Sequence, residues 1–120
     1  DPSIHFLPFQ PRRRFLALLD AADLVVLPSL EDGFSFDVAD AMARGIPAIV
    51  SDRAGVHELL TDGEDGWIVR AGQVDALAEA LTRAVENPAR RQATGERARE
   101  TARRWTWRRF RTAFADAVFA

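Results

Sequence analysis

The sequence predicts an α/β domain built on a parallel sheet with helices on both faces. Three observations lead there. The apolar runs Leu24–Leu27, Ala48–Val50 and Trp67–Val69 are continuous rather than alternating, as in strands buried on both sides. Segments with apolar residues at helical spacing fall between them. The connections are short and carry Gly, Pro and Asp, which suits strand–helix units rather than hairpins.

In chain order, Ile4–Leu7 is an apolar run bounded by Pro8 and reads as a first strand. Pro11, tolerated in a first turn, opens a helix with Phe15, Leu16, Leu18, Leu19 and Ala22 on its apolar side. Leu24–Leu27 is the second strand, stopped by Pro28. Phe36–Arg44 is helical, with Phe36, Val38, Ala39, Met42 and Ala43 at helical spacing and Gly45 as its C-cap. Ala48–Val50 is the third strand, followed by a short helix around Val56–Leu60. The cluster Asp62–Gly66 is a turn into the fourth strand, Trp67–Val69. Asp75–Val85 forms a helix with Leu77, Ala78, Leu81 and Val85 on one side. Pro88 starts another, whose segment Ala89–Arg104 reads as a solvated, non-core face weakened near Gly95. The last helix begins after Trp105 with Thr106 as N-cap and carries Phe110, Phe114, Ala117 and Val118.

A chain of 120 residues is one domain at most, and such a domain buries roughly two-thirds of its unfolded surface. Its hydrophobic fraction of 48% supports a packed core. A net charge of −2 supplies no reason to expect a nucleic-acid partner. All 16 cationic side chains are arginine, which reads as compositional bias. The lack of cysteine excludes disulfides and thiolate metal sites and fits a reducing cytoplasm. No apolar run approaches the ~20 residues of a membrane span, and the first residues do not form a signal peptide. The chain opens without an initiator methionine directly into an apolar run, as a piece of something longer would.

In open α/β sheets, ligands bind beyond the carboxyl ends of the strands. Here those ends lead into PSLEDGFS after Leu27, SDRAG after Val50 and PFQ after Leu7. The helix starting at Phe36 has initial amides without internal partners, which suits a phosphate, and Gly33 permits close approach of chain and ligand. Asp32 and Asp40 bracket this turn with seven residues between them. They are either helix-end and surface charge or groups that hold a ligand's hydroxyls. Asp37 is accounted for by the helix macrodipole. Glu58 either reaches the site or caps its own helix. His57 has no second ligand at metal spacing and reads as a surface or capping residue. Trp67, Trp105 and Trp107 read as packing residues.

The order Pro28-Ser29, Asp32-Gly33-Phe34-Ser35, Asp40-Ala41-Met42-Ala43, Gly45, Pro47, Ser51, Gly55, Glu58 and Gly66 closely resembles the donor-binding half of the group 1, or family 4, retaining glycosyltransferases. The final RRWTWRRFRTAFADAVF is similar to that family's closing helix. The resemblance implies the C-terminal half of a GT-B fold: Rossmann-like, and incomplete here. Residues 1–120 would be a partial C-terminal nucleotide-sugar-binding domain, without its first two strand–helix units and without the N-terminal acceptor domain. It also implies transfer of a sugar from a nucleotide-diphosphate sugar to an acceptor with retention, with no cofactor and no metal. Asp32, or its neighbour Glu31, takes the place of a first catalytic glutamate near the transferred sugar. Asp40 takes the second, on the ribose hydroxyls. Gly33, Phe34, Ser35 and Glu58 complete the donor set. Aspartate is shorter than the family's glutamate by about 1.5 Å at both places. Ser35 and Ala54 stand where the family has glycines. The basic diphosphate clamp of the family belongs to the absent units, and Arg12, Arg13 and Arg14 read as the exposed face of their helix.

The implied partners are a nucleotide sugar and the upstream Rossmann domain. A second copy, by association or strand exchange, would cover the open sheet edge. The implied location is cytoplasmic, the inner membrane face included. The isolated chain is expected to be inactive. The alternative is a degenerate module that binds a nucleotide sugar or a protein without catalysis, and a third reading is a related nucleotide-sugar epimerase.

Overall fold

The computed structural model describes residues 1–120. Strands β1 (Val25–Leu27), β2 (Ala48–Ser51) and β3 (Trp67–Val69) form a parallel sheet in that order, with Val26 opposite Ile49 and Val50 opposite Ile68. Five helices accompany them: α1 (Arg12–Asp20), α2 (Phe36–Ala43), α3 (Val74–Glu86), α4 (Pro88–Arg104) and α5 (Trp107–Phe119). A 3-10 helix, Gly55–Leu59, lies between β2 and β3. None of the helices is long and apolar enough to cross a membrane.

Every residue of the central strand β2 is buried, and its alternation divides the core. Ala48 and Val50 pack with Val38 and Met42 of α2, Val56, Leu60 and Ala98 of α4. On the opposite face Ile49 packs with Trp67, Val69 and the small residues Ala80 and Ala84 of α3. Burying a side chain such as Val50 or Ile49 contributes about 1.5–3 kcal/mol. A third cluster, Leu19 with Ala41 and Ile46 against Phe15 and Leu16, docks α1 beside α2. Helices thus cover both faces of a continuous apolar strand, as its sequence requires.

The arginine-rich helix α4 belongs to the core, contrary to the reading of Ala89–Arg104 as a solvated face. Its buried residues, Thr94, Gly95 and Ala98, are all small, and they let α4 lie directly on α2. Gly45 ends α2 in the left-handed conformation at φ 76°, and its carbonyl faces Gly95. A Cβ on Gly95 would overlap the Gly45 carbonyl oxygen and press on the Pro47 ring. Gly95 is therefore the crossing point of two helices rather than a weak spot in one. The far half of α4 is tied down through Thr101 Oγ1, which donates to Asp65 Oδ2 at 2.6 Å. The other oxygen of that carboxylate accepts from Thr61 N–H at 2.7 Å.

Two expectations fail at the ends of the chain. Ile4–Leu7 is not a strand: no strand of the chain pairs with it, and Phe6 and Phe9 are 93% and 95% exposed. Apolar content measures what a segment gains on burial, not whether a neighbour exists to bury it. Helix α5 forms with Thr106 as its N-cap, Oγ1 accepting from Arg109 N–H at 3.2 Å, but none of its residues is buried. Trp107 meets Phe110 edge to face and Phe110 stacks on Phe114, all in the open, and Trp105 is likewise exposed, so only Trp67 is a packing residue as expected. The Cα radius of gyration is 15.2 Å, above the roughly 14 Å of a compact chain this long.

Gly95→Ala separates the two views of α4. On a solvated helix the change would stabilise by about 1 kcal/mol. Overlap with the Gly45 carbonyl is expected instead to destabilise the domain by about 1–3 kcal/mol, read as a lower urea midpoint.

Candidate functional site

The carboxyl ends of the three strands point the same way, and the loops leaving them are stitched together. Ser51 Oγ donates to the Ser29 carbonyl at 2.5 Å and accepts from Arg53 N–H at 3.3 Å. Asp32 N–H donates to the Arg53 carbonyl at 3.1 Å, and Gly55 N–H to the Asp32 carbonyl at 3.0 Å, so Asp32 forms a parallel bridge opposite Ala54. On the other side Asp52 N–H bonds to the Val69 carbonyl, and Asp52 Oδ1 accepts from Ala71 N–H, both at 2.9 Å. Backbone meets backbone where Gly33 crosses Gly55: a Cβ on Gly55 would overlap the Gly33 carbonyl. Ala54, fully buried, has room for its methyl group, so only the second of this adjacent pair must be glycine.

Beyond that crossing the chain turns into α2. Ser35 is extended at φ −110°, and its Oγ accepts from Val38 N–H at 3.3 Å, which makes it the N-cap of α2, a role the sequence reading did not assign. Ala39 N–H bonds to the Ser35 carbonyl at 3.2 Å. The amides of Gly33, Phe34, Ser35, Phe36 and Asp37 donate to no protein acceptor. Such a run of free N–H groups at a helix start carries partial positive charge. The rings of Phe34 and Phe36 meet edge to face, their centroids 5.2 Å apart, and both remain exposed beside the amides.

The acids differ in their surroundings. Asp32 is half-buried and Glu31 exposed, and neither carboxylate has a side-chain partner. Asp40 is engaged: Arg12 Nη1 donates to its Oδ2 at 2.8 Å and Nη2 to its Oδ1 at 3.0 Å. This bond and the Asp40 charge raise the Arg12 pKa above its ordinary value, with a smaller contribution from the Asp37 charge. Arg12 is thus not simply part of an exposed face. Its role was hidden because the partners lie 28 positions apart in the chain; the apolar spacing of Phe15, Leu16 and Leu19, which packs α1 on α2, is the one signal that bears on it. Glu58 lies exposed on the 3-10 helix that begins at Gly55. His57 Nδ1 sits 2.8 Å from the Ala54 carbonyl, which also accepts from His57 N–H, so the ring folds back on its own turn and caps no free helix-end group.

The structure therefore brings Glu31, Asp32, Gly33, Phe34, Ser35 and Asp40 onto one loop–helix unit, with Glu58 on the neighbouring turn. A shallow cleft of about 130 Å³ adjoins it at the strand ends, lined by Pro28, Leu30, Ser51, Val69, Arg70 and Gly72. The larger cavity, about 350 Å³, lies around Asp65, on the turn that enters β3, away from this loop.

Comparison with known proteins agrees with this architecture. The sheet and helices superpose on sucrose-phosphate synthase of Thermosynechococcus elongatus with a TM-score of 0.75 and 29% identity, over 89% of this chain and 29% of that one. Anabaena HepE, solved with UDP, matches 71% of the chain and 24% of its own at a TM-score of 0.66 and 26% identity. The fold is that of a C-terminal GT-B domain. A family profile described as glycosyl transferases group 1 matches residues 2–101, and the chain belongs to that family. Curated relatives include the D-inositol 3-phosphate glycosyltransferases of Corynebacterium glutamicum and Saccharomonospora viridis. The first is 33% identical over 107 residues, 89% of this chain and 26% of that protein. The second is 31% identical over 116 residues, 97% and 27% respectively. The chain spans about a quarter of the length of the curated relatives it matches.

Gly55→Ala is expected to push the Gly33 backbone away, destabilising the domain by about 1–3 kcal/mol. Amide shifts in an NMR spectrum should concentrate at Asp32–Asp37, whereas Ala54→Gly should leave those amides in place.

Proposed function

We propose that this chain is the donor-binding part of a retaining hexosyltransferase that uses a nucleotide-diphosphate sugar. The observation that carries this reading is the row of free amides from Gly33 to Asp37 beside Asp40, in the loop shared with the group 1 glycosyltransferases. Those amides receive the diphosphate and stabilise the charge that develops on it as the sugar departs, without a metal ion. Gly33, Phe34 and Ser35 lie against the sugar and diphosphate. Asp40 accepts the ribose hydroxyls. Asp32, with Glu31 beside it, orients the transferred sugar rather than acting as a base, and Glu58 approaches from the 3-10 helix. The acceptor hydroxyl attacks from the face the leaving group vacates, so configuration is retained. The structures of HepE with UDP and with UDP-glucose support a uridine diphosphate sugar as the first donor to test.

In this reading the parent protein supplies two further strand–helix units and an N-terminal Rossmann domain that binds the acceptor, and the chain alone does not turn over. The open outer edge of β1 and the uncovered aromatic face of α5 support it. The cysteine-free composition supports a cytoplasmic location, which includes the inner membrane face. For the chain by itself, we propose association or strand exchange through the β1 edge, supported by that edge and by the exposed Ile4–Phe9 segment. Light scattering should report species larger than a monomer at micromolar concentration; a clean monomer would overturn it.

The pairing of Asp40 with Arg12 favours a second reading, a module that holds a nucleotide sugar or a protein partner without catalysis. Turnover by the parent protein, abolished by Asp32→Ala, decides for the enzyme.

The donor reading is tested on this chain by NMR titration with UDP, GDP and ADP. Shifts should appear from Gly33 to Asp40. Asp40→Ala should weaken binding by about 1–3 kcal/mol, the cost of removing bonds to buried hydroxyls. Unchanged affinity would remove the ribose role from Asp40.

A further inference from the structure

Four carboxylates, Glu31, Asp32, Asp37 and Asp40, stand along the loop and the first turns of α2, and the one cation paired with any of them is Arg12. A dianionic ligand arriving at the helix amides meets these four carboxylates beside it, and Arg12 is the cation bonded to one of them. Arg12 is set at the first residue of α1, and its side chain is 67% exposed while that of Asp40 is 19% exposed. The guanidinium therefore covers Asp40 from the solvent side. Both carboxylate oxygens are occupied by it. No hydroxyl bonds to Asp40 through those lone pairs in its present geometry unless the fork opens.

Asp37 lies three residues before Asp40 on α2, hence on the same face and about 4.5 Å nearer the helix start. The guanidinium held on Asp40 is therefore about two turns at most from the free amides of Gly33–Asp37. With its arginine 67% exposed, this ion pair is open to solvent on the Arg12 side and can exchange partners at modest cost. Arginine, once released, keeps its charge and presents a planar fork suited to phosphate oxygens.

Resting on the donor reading above, we propose that Arg12 is a donor-binding residue that changes partner: it covers Asp40 in the empty site and transfers to the ligand's diphosphate when ribose hydroxyls take its place on Asp40. One side chain then has opposite effects on two parts of the ligand. It competes with a ribose that comes alone, and it assists a ribose that brings phosphates. It also cancels the repulsion between Asp40 and an incoming diphosphate. Lysine retains the charge but not the fork, and glutamine retains neither.

The test compares UDP with uridine on the full chain by calorimetry or NMR titration, using wild type, Arg12→Gln and Arg12→Lys, with circular dichroism to verify folding. Arg12→Gln should weaken UDP binding about tenfold, as expected for loss of a charge-assisted bond. It should leave uridine binding unchanged or tighter, and flatten the salt dependence of UDP affinity. Arg12→Lys should fall between wild type and Arg12→Gln for UDP. Equal losses for UDP and uridine would assign Arg12 a purely structural role and overturn the exchange. Unchanged UDP affinity in Arg12→Gln would overturn it too, while leaving the donor reading standing. Failure of the wild-type chain to bind UDP at all overturns both.

Discussion

The close passage of Gly33 over Gly55 is the constraint on which the strand-end surface depends. Parallel strands leave their ends side by side, but nothing in a sheet holds the loops beyond them. Here the loop after β1 is bonded through both backbone groups of Asp32, capped at Ser35, and left unbonded in between. Amides held at both ends of a short segment are displayed, not frayed. The arrangement needs one residue without a Cβ on the 3-10 helix and nothing unusual elsewhere. Burial of Ala54 and Val56 below it supplies the support.

Much of this architecture was legible in the sequence because it is local. Continuous apolar runs marked β1, β2 and β3; Thr106, Pro88 and Gly45 marked helix ends through their own hydrogen-bonding and torsional preferences. Features that depend on a distant neighbour were not legible. Ile4–Leu7 has the composition of a strand and lacks a partner. The α4 pattern is dominated by charge, which conceals that Thr94, Gly95 and Ala98 share one narrow buried stripe. The Trp105 and Trp107 rings have the burial potential of core residues and no core within reach.

The acids along α2 show the same division. Their spacing in the chain was apparent, and so was the choice between ligand contact and surface charge. Their different states were not. Asp32 keeps its carboxylate free because its backbone does the anchoring, whereas Asp40 has a partner brought in by the packing of α1 through Leu19 against Ala41 and Ile46. A hydrophobic contact thus decides the charge environment of a polar site.

The two glycine contacts at either end of α2 have a joint effect. Gly45 is seated against Gly95 of α4, and Gly33 against Gly55, with no side chain intervening at either place. Side chains are compressible by rotation; main chain against main chain is not. Backbone contact at both ends therefore fixes where α2 sits along its own axis, so a molecule arriving at its start meets donors already in place and less affinity is lost to local ordering.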